Sequence, residues 1–275
     1  MIRKSWLEKI RKDFITDPIL KDERSRNGLL LGHTFEWVCR IGINGGQADF
    51  DSDIDDLSPK DRAMLYAYVN QKGHVDELIH AFEKLGVNIE EFDNATIVDI
   101  GCGPFTAGLA LANVIGSRYQ FRYFGIDRAQ SMLDFGKELS TAVRSENEFH
   151  PNTTLHFERD LDAVGFGPRR AANTTFFVLS YLLASETIDT TELVEQITRA
   201  CAKISLGRVV VLYTNTARLT ARVNFEPFCD HLIQAGFEKH IEECEKFEES
   251  DKPRDIHYAL FVRSPKRLSI KEFSQ

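Results

Sequence analysis

Residues 95–112 read ATIVDIGCGPFTAGLALA, and this stretch decides the fold. Its first part is short, apolar and rich in β-branched residues, which predicts a buried strand. The glycines at 101 and 103 follow at once, and an apolar run that favours a helix comes next. Glycine at these positions lets the backbone bend sharply and approach a ligand, because a Cβ would intrude. The stretch therefore predicts a strand, a ligand-binding turn and a helix.

The chain beyond residue 95 continues this rhythm of short apolar strands and amphipathic helices, which is typical of a mostly parallel sheet covered on both faces. Strands are predicted at 96–100, 120–127, 154–158, 174–180 and 208–214, helices at 105–115, 129–143, 190–204 and 225–236, and a final hairpin from 237–248 and 255–264. We therefore expect an α/β fold, Rossmann-like and doubly wound, with seven strands, over residues 93–275.

Residues 1–92 read as helices. Ser58 is a good N-cap, Pro59 suits the first helical position, and Gly73 is placed to end that helix. The next segment forms an apolar stripe that must be buried, made of Val75, Leu78, Ile79, Phe82 and Leu85. Because a connection of about ten residues leads to the first strand, we expect residues 1–92 to form a helical cap or lid over the ligand end of the sheet.

Composition and charge narrow the classes of function. The 275 residues are 43% hydrophobic with a net charge of −8, and no apolar run approaches the roughly 20 residues that span a bilayer. The N-terminus carries no signal-peptide pattern, and the five cysteines are scattered and odd in number, so we expect a cytoplasmic protein with reduced thiols and no membrane partner. The basic pairs 169–170 and 266–267 are interpreted as solvated loops.

The glycine turn departs from the dinucleotide pattern, because Thr106 stands where G-x-G-x-x-G needs its third glycine. Two acids indicate a different ligand. Asp127 ends the second predicted strand, where a carboxylate can accept hydrogen bonds from both hydroxyls of an adenosine ribose. Asp99, just before the turn, suits an amine or a sulfonium better than a pyrophosphate.

Three segments together carry a resemblance: VDIGCGPF at 98–105, FGIDRAQSML at 124–133 and FERDL at 157–161. In this order and spacing they resemble the class I S-adenosylmethionine-dependent methyltransferases, over residues 95–263. The resemblance implies S-adenosyl-L-methionine as cofactor, S-adenosyl-L-homocysteine as product, and an antiparallel last strand in the sheet.

The resemblance also implies roles for individual residues. Those implied to line the methionine part of the cofactor are Asp99, Gly101, Cys102 and Gly103. Asp127 would bind the ribose, Met132 would lie under the adenine, and Asp160 with Leu161 would meet the adenine edge. Ser180 and Tyr181 would lie where the methyl group faces its acceptor.

Methyl transfer is an in-line displacement that depends mainly on alignment and exclusion of water, so a dedicated base is optional and the sequence hides the acceptor. The Asn/Asp-Pro-Pro-aromatic pattern of DNA amino-methylases is absent, since residues 179–185 read LSYLLAS. The acidic composition favours a small-molecule acceptor, while an RNA or ribosome methyltransferase and a non-catalytic scaffold are the alternatives. Tyr181 is the candidate catalytic residue, and the candidates for reaching over the cofactor are His33, Tyr66, Tyr68 and His74.

Two metal interpretations do not hold. The acidic run DFDSDIDD at 49–56 lacks the glycine and glutamate that a calcium loop needs, so we expect a solvated loop. The spacing of Cys229, His231, His240 and Cys244 matches no zinc module. We expect no metal site.

Overall fold

The computed structural model describes residues 3–84, 89–169, 173–248 and 253–265, and its centre is a seven-stranded sheet. The strands are β1 (Thr96–Ile100), β2 (Arg122–Ile126), β3 (Thr154–Glu158), β4 (Thr175–Ser180), β5 (Val209–Thr216), β6 (Glu238–Phe247) and β7 (Arg254–Arg263). Their spatial order is β3-β2-β1-β4-β5-β7-β6. This is the predicted doubly wound, Rossmann-like arrangement.

The first five strands are parallel and the last strand is not. β1 pairs in parallel with both β2 and β4, so that Asp99 lies between Gly125 and Val178. β7 inserts between β5 and β6 and runs antiparallel to both, which confirms the predicted hairpin and antiparallel last strand. Strand order reverses at β1 and β4, and ligands of such sheets bind beyond the carboxyl ends of the strands at this point.

In the described part of the sheet domain, four α-helices cover the two faces of the sheet. They are α6 (Thr106–Ile115), α7 (Gln130–Ser145), α8 (Thr190–Ile204) and α9 (Phe225–Gln234). The apolar side chains of α8 and α9 belong to one core cluster, and those of α6 and α7 belong to the other, which they share with the N-terminal helices.

Within residues 3–84, the N-terminal part contains five α-helices: α1 (Ser5–Arg11), α2 (Asp17–Leu20), α3 (Phe35–Trp37), α4 (Pro59–Tyr66) and α5 (Lys72–Lys84). Segments of π-helix, in which the turn is one residue wider, occupy Lys12–Thr16, Val38–Gly42 and Ala67–Gln71. Short 3₁₀ turns lie at Asn44–Gly46, Ile89–Phe92, Gly116–Arg118, Leu182–Ala184 and Leu219–Ala221. No helix in the described ranges is both long and apolar enough to cross a bilayer.

Helix α4 begins as predicted but does not end as predicted. Ser58 accepts a hydrogen bond from the amide of Asp61, whose carboxylate accepts one from the Ser58 amide in return, and Pro59 follows the cap. The prediction that Gly73 ends the helix is wrong, since the helical path continues through the π segment into α5. A Cβ on Gly73 would lie 1.8 Å from Nη2 of Arg254. Glycine at this position leaves room for a guanidinium from β7.

The predicted apolar stripe of α5 is buried. Val75, Leu78, Ile79 and Phe82 all belong to the core cluster that contains α6 and the adjoining sheet face, while Leu85 lies outside the described residues. Phe92, on the connection to β1, stacks on Phe176 of β4 with ring centroids 4.5 Å apart. The N-terminal helices and the sheet thus share one hydrophobic core.

The sequence predicts that the acidic loop at 49–56 is merely solvated, and this prediction is wrong. Asp51 accepts hydrogen bonds of 2.9 Å from the amides of Gln130 and Ser131, at the first turn of α7. Ala129, the N-cap residue of α7, offers no side-chain cap of its own. Asp51 therefore caps α7 from the N-terminal segment, where the helix dipole also favours a negative charge.

Replacing Asp51 with alanine should lower the free energy of unfolding by about 1 kcal/mol, because two amides of α7 lose their partner. Chemical denaturation of the full chain measures this change. Asp53→Ala is the matched control, since Asp53 is an exposed acid on the same loop. Equal stability of the two variants would contradict the capping role of Asp51.

Candidate functional site

A cavity of about 750 Å³ opens at the carboxyl ends of the parallel strands, where the strand order reverses. Its floor and sides come from the ends of β1, β2, β4 and β5, the start of β7 and the N-terminal segment. The predicted site residues that line it are Gly101, Gly103, Asp127, Met132, Ser180 and Tyr181. Its volume falls in the usual range for cofactor and small-molecule sites, about 300–1,000 Å³.

The glycine turn takes a backbone conformation that other residues adopt with difficulty. Gly101 has φ +72° and Gly103 has φ +50°, both in the left-handed region. A Cβ on Gly101 would lie 2.9 Å from Cδ1 of Leu182, which itself lines the cavity. The requirement for glycine at 101 therefore comes from the backbone and from Leu182, and not only from a bound molecule.

Asp127 joins the glycine turn to the start of α7. One carboxylate oxygen accepts a 2.9 Å hydrogen bond from the amide of Gly103, and the other accepts one of 3.0 Å from the amide of Ala129. Burial raises the pKa of this carboxyl, and the two backbone hydrogen bonds oppose that rise. Each carboxylate oxygen has a second lone pair, so Asp127 can accept further hydrogen bonds from a molecule in the cavity.

Asp99 and Cys102 lie behind the turn and do not line the cavity. The Asp99 side chain is buried and accepts a 2.6 Å hydrogen bond from the hydroxyl of Tyr123. Burial raises its pKa to about 7. The Cys102 thiol is buried against the carbonyl of Gly103, and burial raises its pKa well above the usual value. Both residues can influence a ligand only through the turn.

The residues predicted around the adenine fall into two groups. Met132, on the first turns of α7, is buried and lines the cavity beside Ala129. Asp160 is exposed and accepts a hydrogen bond from the amide of Asp162, outside the cavity lining. Leu161 is buried in the core cluster of α8 and α9, also outside the lining. The structure therefore brings Met132 to the cavity and leaves Asp160 and Leu161 away from it.

Ser180 and Tyr181 end β4 at the cavity. Ser180 accepts a 3.0 Å hydrogen bond from the hydroxyl of Thr214 on the neighbouring strand β5. Tyr181 has φ +60°, which is rare for a residue with a Cβ and costs roughly 1–3 kcal/mol. Strain of this kind is typical of functional sites.

One wall of the cavity comes from the long helical stretch of the N-terminal segment. Tyr66, Asn70 and His74 line it, at a spacing of four residues that puts them on one helical face across the π segment. π segments of this kind occur often at functional sites. Ring atoms of Tyr66 lie 2.9 Å and 3.6 Å from the positions that Cβ atoms on Gly46 and Gly103 would occupy. The tyrosine thus lies directly over the glycine turn.

Of the four N-terminal residues predicted to reach over the cofactor, two line the cavity and two do not. Tyr66 and His74 line the cavity, whereas His33 stacks on Trp37 and contacts Asp56, and Tyr68 packs on the N-terminal core. The His74 ring stacks on Tyr181 with centroids 3.7 Å apart, and burial, followed by the charge of Arg254, lowers its pKa to about 3. His74 is therefore a neutral imidazole near pH 7.

Further lining residues were not predicted from the sequence. They are the loop 45–50, Leu182, the segment 184–188, Thr216–Arg218 and Pro253–Asp255. The four-residue spacing of Tyr66, Asn70 and His74 was a usable signal for a common face. No comparable signal marks the loops, because the fold alone brings them to this edge.

No group of three or more histidine, cysteine or acidic side chains in the described parts of the chain is arranged to hold a metal ion. Cys229 is buried in the core cluster of α8 and α9, and Cys244 is exposed on β6. His231 contacts Thr190 on α8, and His240 lies near Glu238.

Comparison with known proteins finds solved structures that are distantly similar to this chain. No protein-family model matches the chain, and no curated protein sequence matches it. Magnesium protoporphyrin IX methyltransferase from Synechocystis PCC 6803, solved with bound S-adenosylmethionine, is 13% identical, with 83% of this chain and 94% of that one covered and a TM-score of 0.44.

Two further solved structures are similar to the same degree. A methyltransferase from Aquifex aeolicus that depends on the same cofactor is 11% identical, with 70% of this chain and 93% of that one covered and a TM-score of 0.46. An arsenic(III) S-adenosylmethionine methyltransferase from Chlamydomonas reinhardtii is 10% identical, with coverages of 70% and 74% and a TM-score of 0.43. The fold assignment rests on the strand order described above.

Proposed function

We propose that this protein is an S-adenosylmethionine-dependent methyltransferase. The observation that carries the proposal is a single cavity at the point where strand order reverses, which contains both the glycine turn and the carboxylate of Asp127. A glycine turn allows close approach of a ligand, and an acid at the next strand end suits a ribose. When bound, the cofactor supplies an electrophilic methyl group on a sulfonium.

The residues present fit such a cofactor. Gly101 and Gly103 leave the backbone of the turn open to the methionine part, Asp127 has free lone pairs for the ribose hydroxyls, and Met132 offers an apolar surface to the adenine. Asp99 and Cys102 support the turn from behind. Asp160 and Leu161 remain predictions, and their distance from the cavity lining gives them no support.

The far side of the cavity is proposed as the acceptor site. Tyr181, His74 and Arg254 line the cavity and are not among the residues assigned to the cofactor. An acceptor that shares about 750 Å³ with the cofactor must be small, or must enter with one small group only. This supports a small-molecule acceptor, with a single base of an RNA as the alternative. The segment 1–92, which supplies Tyr66 and His74, is proposed to act as the lid.

Two measurements test the proposal. Calorimetry should detect binding of S-adenosylmethionine and S-adenosylhomocysteine, with no competition from NAD at comparable concentrations. Cofactor labelled in its methyl group should then transfer label to a host extract, which is separated into small molecules, RNA and protein. The labelled fraction identifies the acceptor class. Cofactor binding without transfer to any fraction would indicate a non-catalytic scaffold.

Asp127→Ala should weaken binding of S-adenosylhomocysteine by at least about tenfold, because hydrogen bonds to a charged acceptor contribute about 1.5–3 kcal/mol each. Calorimetry measures the change, and the unfolding transition reports whether the glycine turn survives the loss of the Gly103 contact. Asp160→Ala is the matched control, since Asp160 lies outside the cavity lining. Unchanged affinity in Asp127→Ala would remove this residue from the site.

A further inference from the structure

Glu77 on α5 is a buried carboxylate directly behind the cavity. Its side chain is 1% exposed, and its Oε1 accepts a 3.2 Å hydrogen bond from the hydroxyl of Tyr181. Its other oxygen, Oε2, is buried and has no hydrogen-bond partner among the residues that the structure describes. Burying a carboxylate is costly unless its oxygens are satisfied. Glu77 is therefore not explained as a simple structural hydrogen-bond acceptor.

Arg254 provides the counter-charge. Its Nε lies 2.6 Å from Oε1 of Glu77, as an ion pair whose N–H is not directed along the line between the atoms. The guanidinium reaches α5 over the bare backbone of Gly73 and lines the cavity. It stabilises the ionised form of Glu77, while the unpartnered Oε2 leaves the carboxyl open to protonation.

Tyr181 connects this carboxyl to the cavity. Its backbone is held in the left-handed region and its ring is stacked on His74, at 3.7 Å between centroids and 18° between planes. The phenol oxygen donates its proton to Glu77 and can accept another from a molecule in the cavity. Because Tyr181 lines the cavity and its hydroxyl contacts Glu77, it is the candidate link between the cavity and this buried base.

We propose that Glu77 receives, through Tyr181, the proton that the methyl acceptor loses, and hence that the acceptor carries an N–H or O–H group. This inference rests on the proposed methyl transfer. The acceptor heteroatom forms a bond to the methyl carbon as the sulfur–carbon bond breaks, with its electron pair left on sulfur. Tyr181 takes the heteroatom's proton and passes its own to Glu77. One sulfonium and one carboxylate become a thioether and a carboxylic acid.

The charged and titratable groups around Glu77 determine the pH at which its carboxyl ionises. Burial, together with the charge of the neighbouring Asp76, raises the pKa of Glu77 to about 7 against the opposing effects of Arg254 and the Tyr181 hydroxyl. His74, on the same helix, is neutral near pH 7. A base must be ionised to accept a proton, so turnover should rise with pH through about 7.

The test uses the full chain, cofactor labelled in its methyl group at saturation, and the small-molecule fraction of a host extract as the acceptor probe. Wild-type label incorporation should rise about tenfold from pH 6 to pH 8, as expected when one group of this pKa ionises. Glu77→Gln and Tyr181→Phe should each lose about 100-fold at pH 8 and lose this rise. Tyr181→Phe keeps the ring that stacks on His74.

Asp76→Asn is the matched control. Asp76 is also 1% exposed on α5, but it pairs with Arg3 and with Lys72, away from the cavity lining. It should lose stability and keep the rise of turnover with pH, with the midpoint moved to lower pH because the charge of Asp76 raises the pKa of Glu77. This separates the loss of a buried carboxylate in general from the loss of the proposed proton acceptor.

Two readouts do not depend on turnover. Affinity for S-adenosylhomocysteine, measured by calorimetry, should stay within about twofold of wild type in Glu77→Gln. Infrared difference spectra should contain protonated carboxyl bands that disappear near pH 7, to which Asp99 also contributes because burial raises its pKa to about 7. The part of the signal that belongs to Glu77 should be missing in Glu77→Gln and present in wild type and Asp76→Asn. The proposal is overturned if Glu77→Gln keeps the wild-type rate and pH profile, or if its infrared difference spectrum is the same as that of wild type. A wild-type chain that binds cofactor but labels no fraction overturns the methyl transfer itself.

Discussion

Gly101→Val should abolish cofactor binding. A branched side chain at φ +72° is strained by roughly 1–3 kcal/mol, and its Cβ would also press on Leu182 at 2.9 Å. Relief of this contact requires a shift of Leu182, which lines the cavity. Calorimetry with S-adenosylhomocysteine should detect no binding at concentrations that saturate the wild-type chain.

Gly236→Val separates the two effects. Gly236 has φ +85°, and nothing lies within 4 Å of the position that its Cβ would take. This variant should lose a similar amount of stability and keep full cofactor affinity. If Gly101→Val still binds the cofactor tightly, then the ligand does not lie against the glycine turn.

Removing residues 1–92 should leave a chain that neither folds stably nor turns over. The deletion strips Leu78, Ile79 and Phe82 from the core shared with α6, and it removes Phe92 from its stack on Phe176. It also takes away Tyr66 and His74 from the cavity wall. Circular dichroism and chemical denaturation of residues 93–275 measure the fold, and labelled methyl transfer measures the activity.

A milder change tests the same interface in a folded chain. Leu78→Ala should cost about 2–5 kcal/mol of unfolding free energy, because Leu78 is fully buried between α5 and the sheet face.

A truncated chain that unfolds cooperatively at wild-type denaturant concentrations, with turnover intact, would show that residues 1–92 are neither lid nor core.

The sheet was predictable because its signals are local. Each strand is a short apolar run bounded by turns, and β3 and α8 begin and end at the predicted residues. The wrong prediction at Gly73 has a cause that is not local in sequence. Glycine near the end of a helical pattern normally indicates a stop. Here Gly73 lies inside the helical stretch and leaves room for Arg254, which is remote in sequence and comes close only in the folded chain.

Part of the cavity lining was also predictable from local sequence patterns. Gly101, Gly103, Asp127 and Met132 belong to one strand–turn–helix unit and its neighbour, so a sequence pattern locates them at the cavity. Glu77 gave no such signal, because it resembles an ordinary polar residue of an amphipathic helix. The role proposed for it rests on two distant partners, Tyr181 and Arg254, that tertiary packing brings to it.

The position of β7 between β5 and β6 has a consequence for synthesis on the ribosome. All of β5 pairs with β7, from Val209 opposite Arg263 to Thr216 opposite Ile256, and β6 touches only the far side of β7. The apolar edge of β5 therefore stays open in the nascent chain while α9 and β6 emerge, and unpaired edges of this kind invite intermolecular pairing. A premature stop before β7 would yield an aggregation-prone fragment that is a substrate for chaperones and proteases, and not a weakened version of the protein.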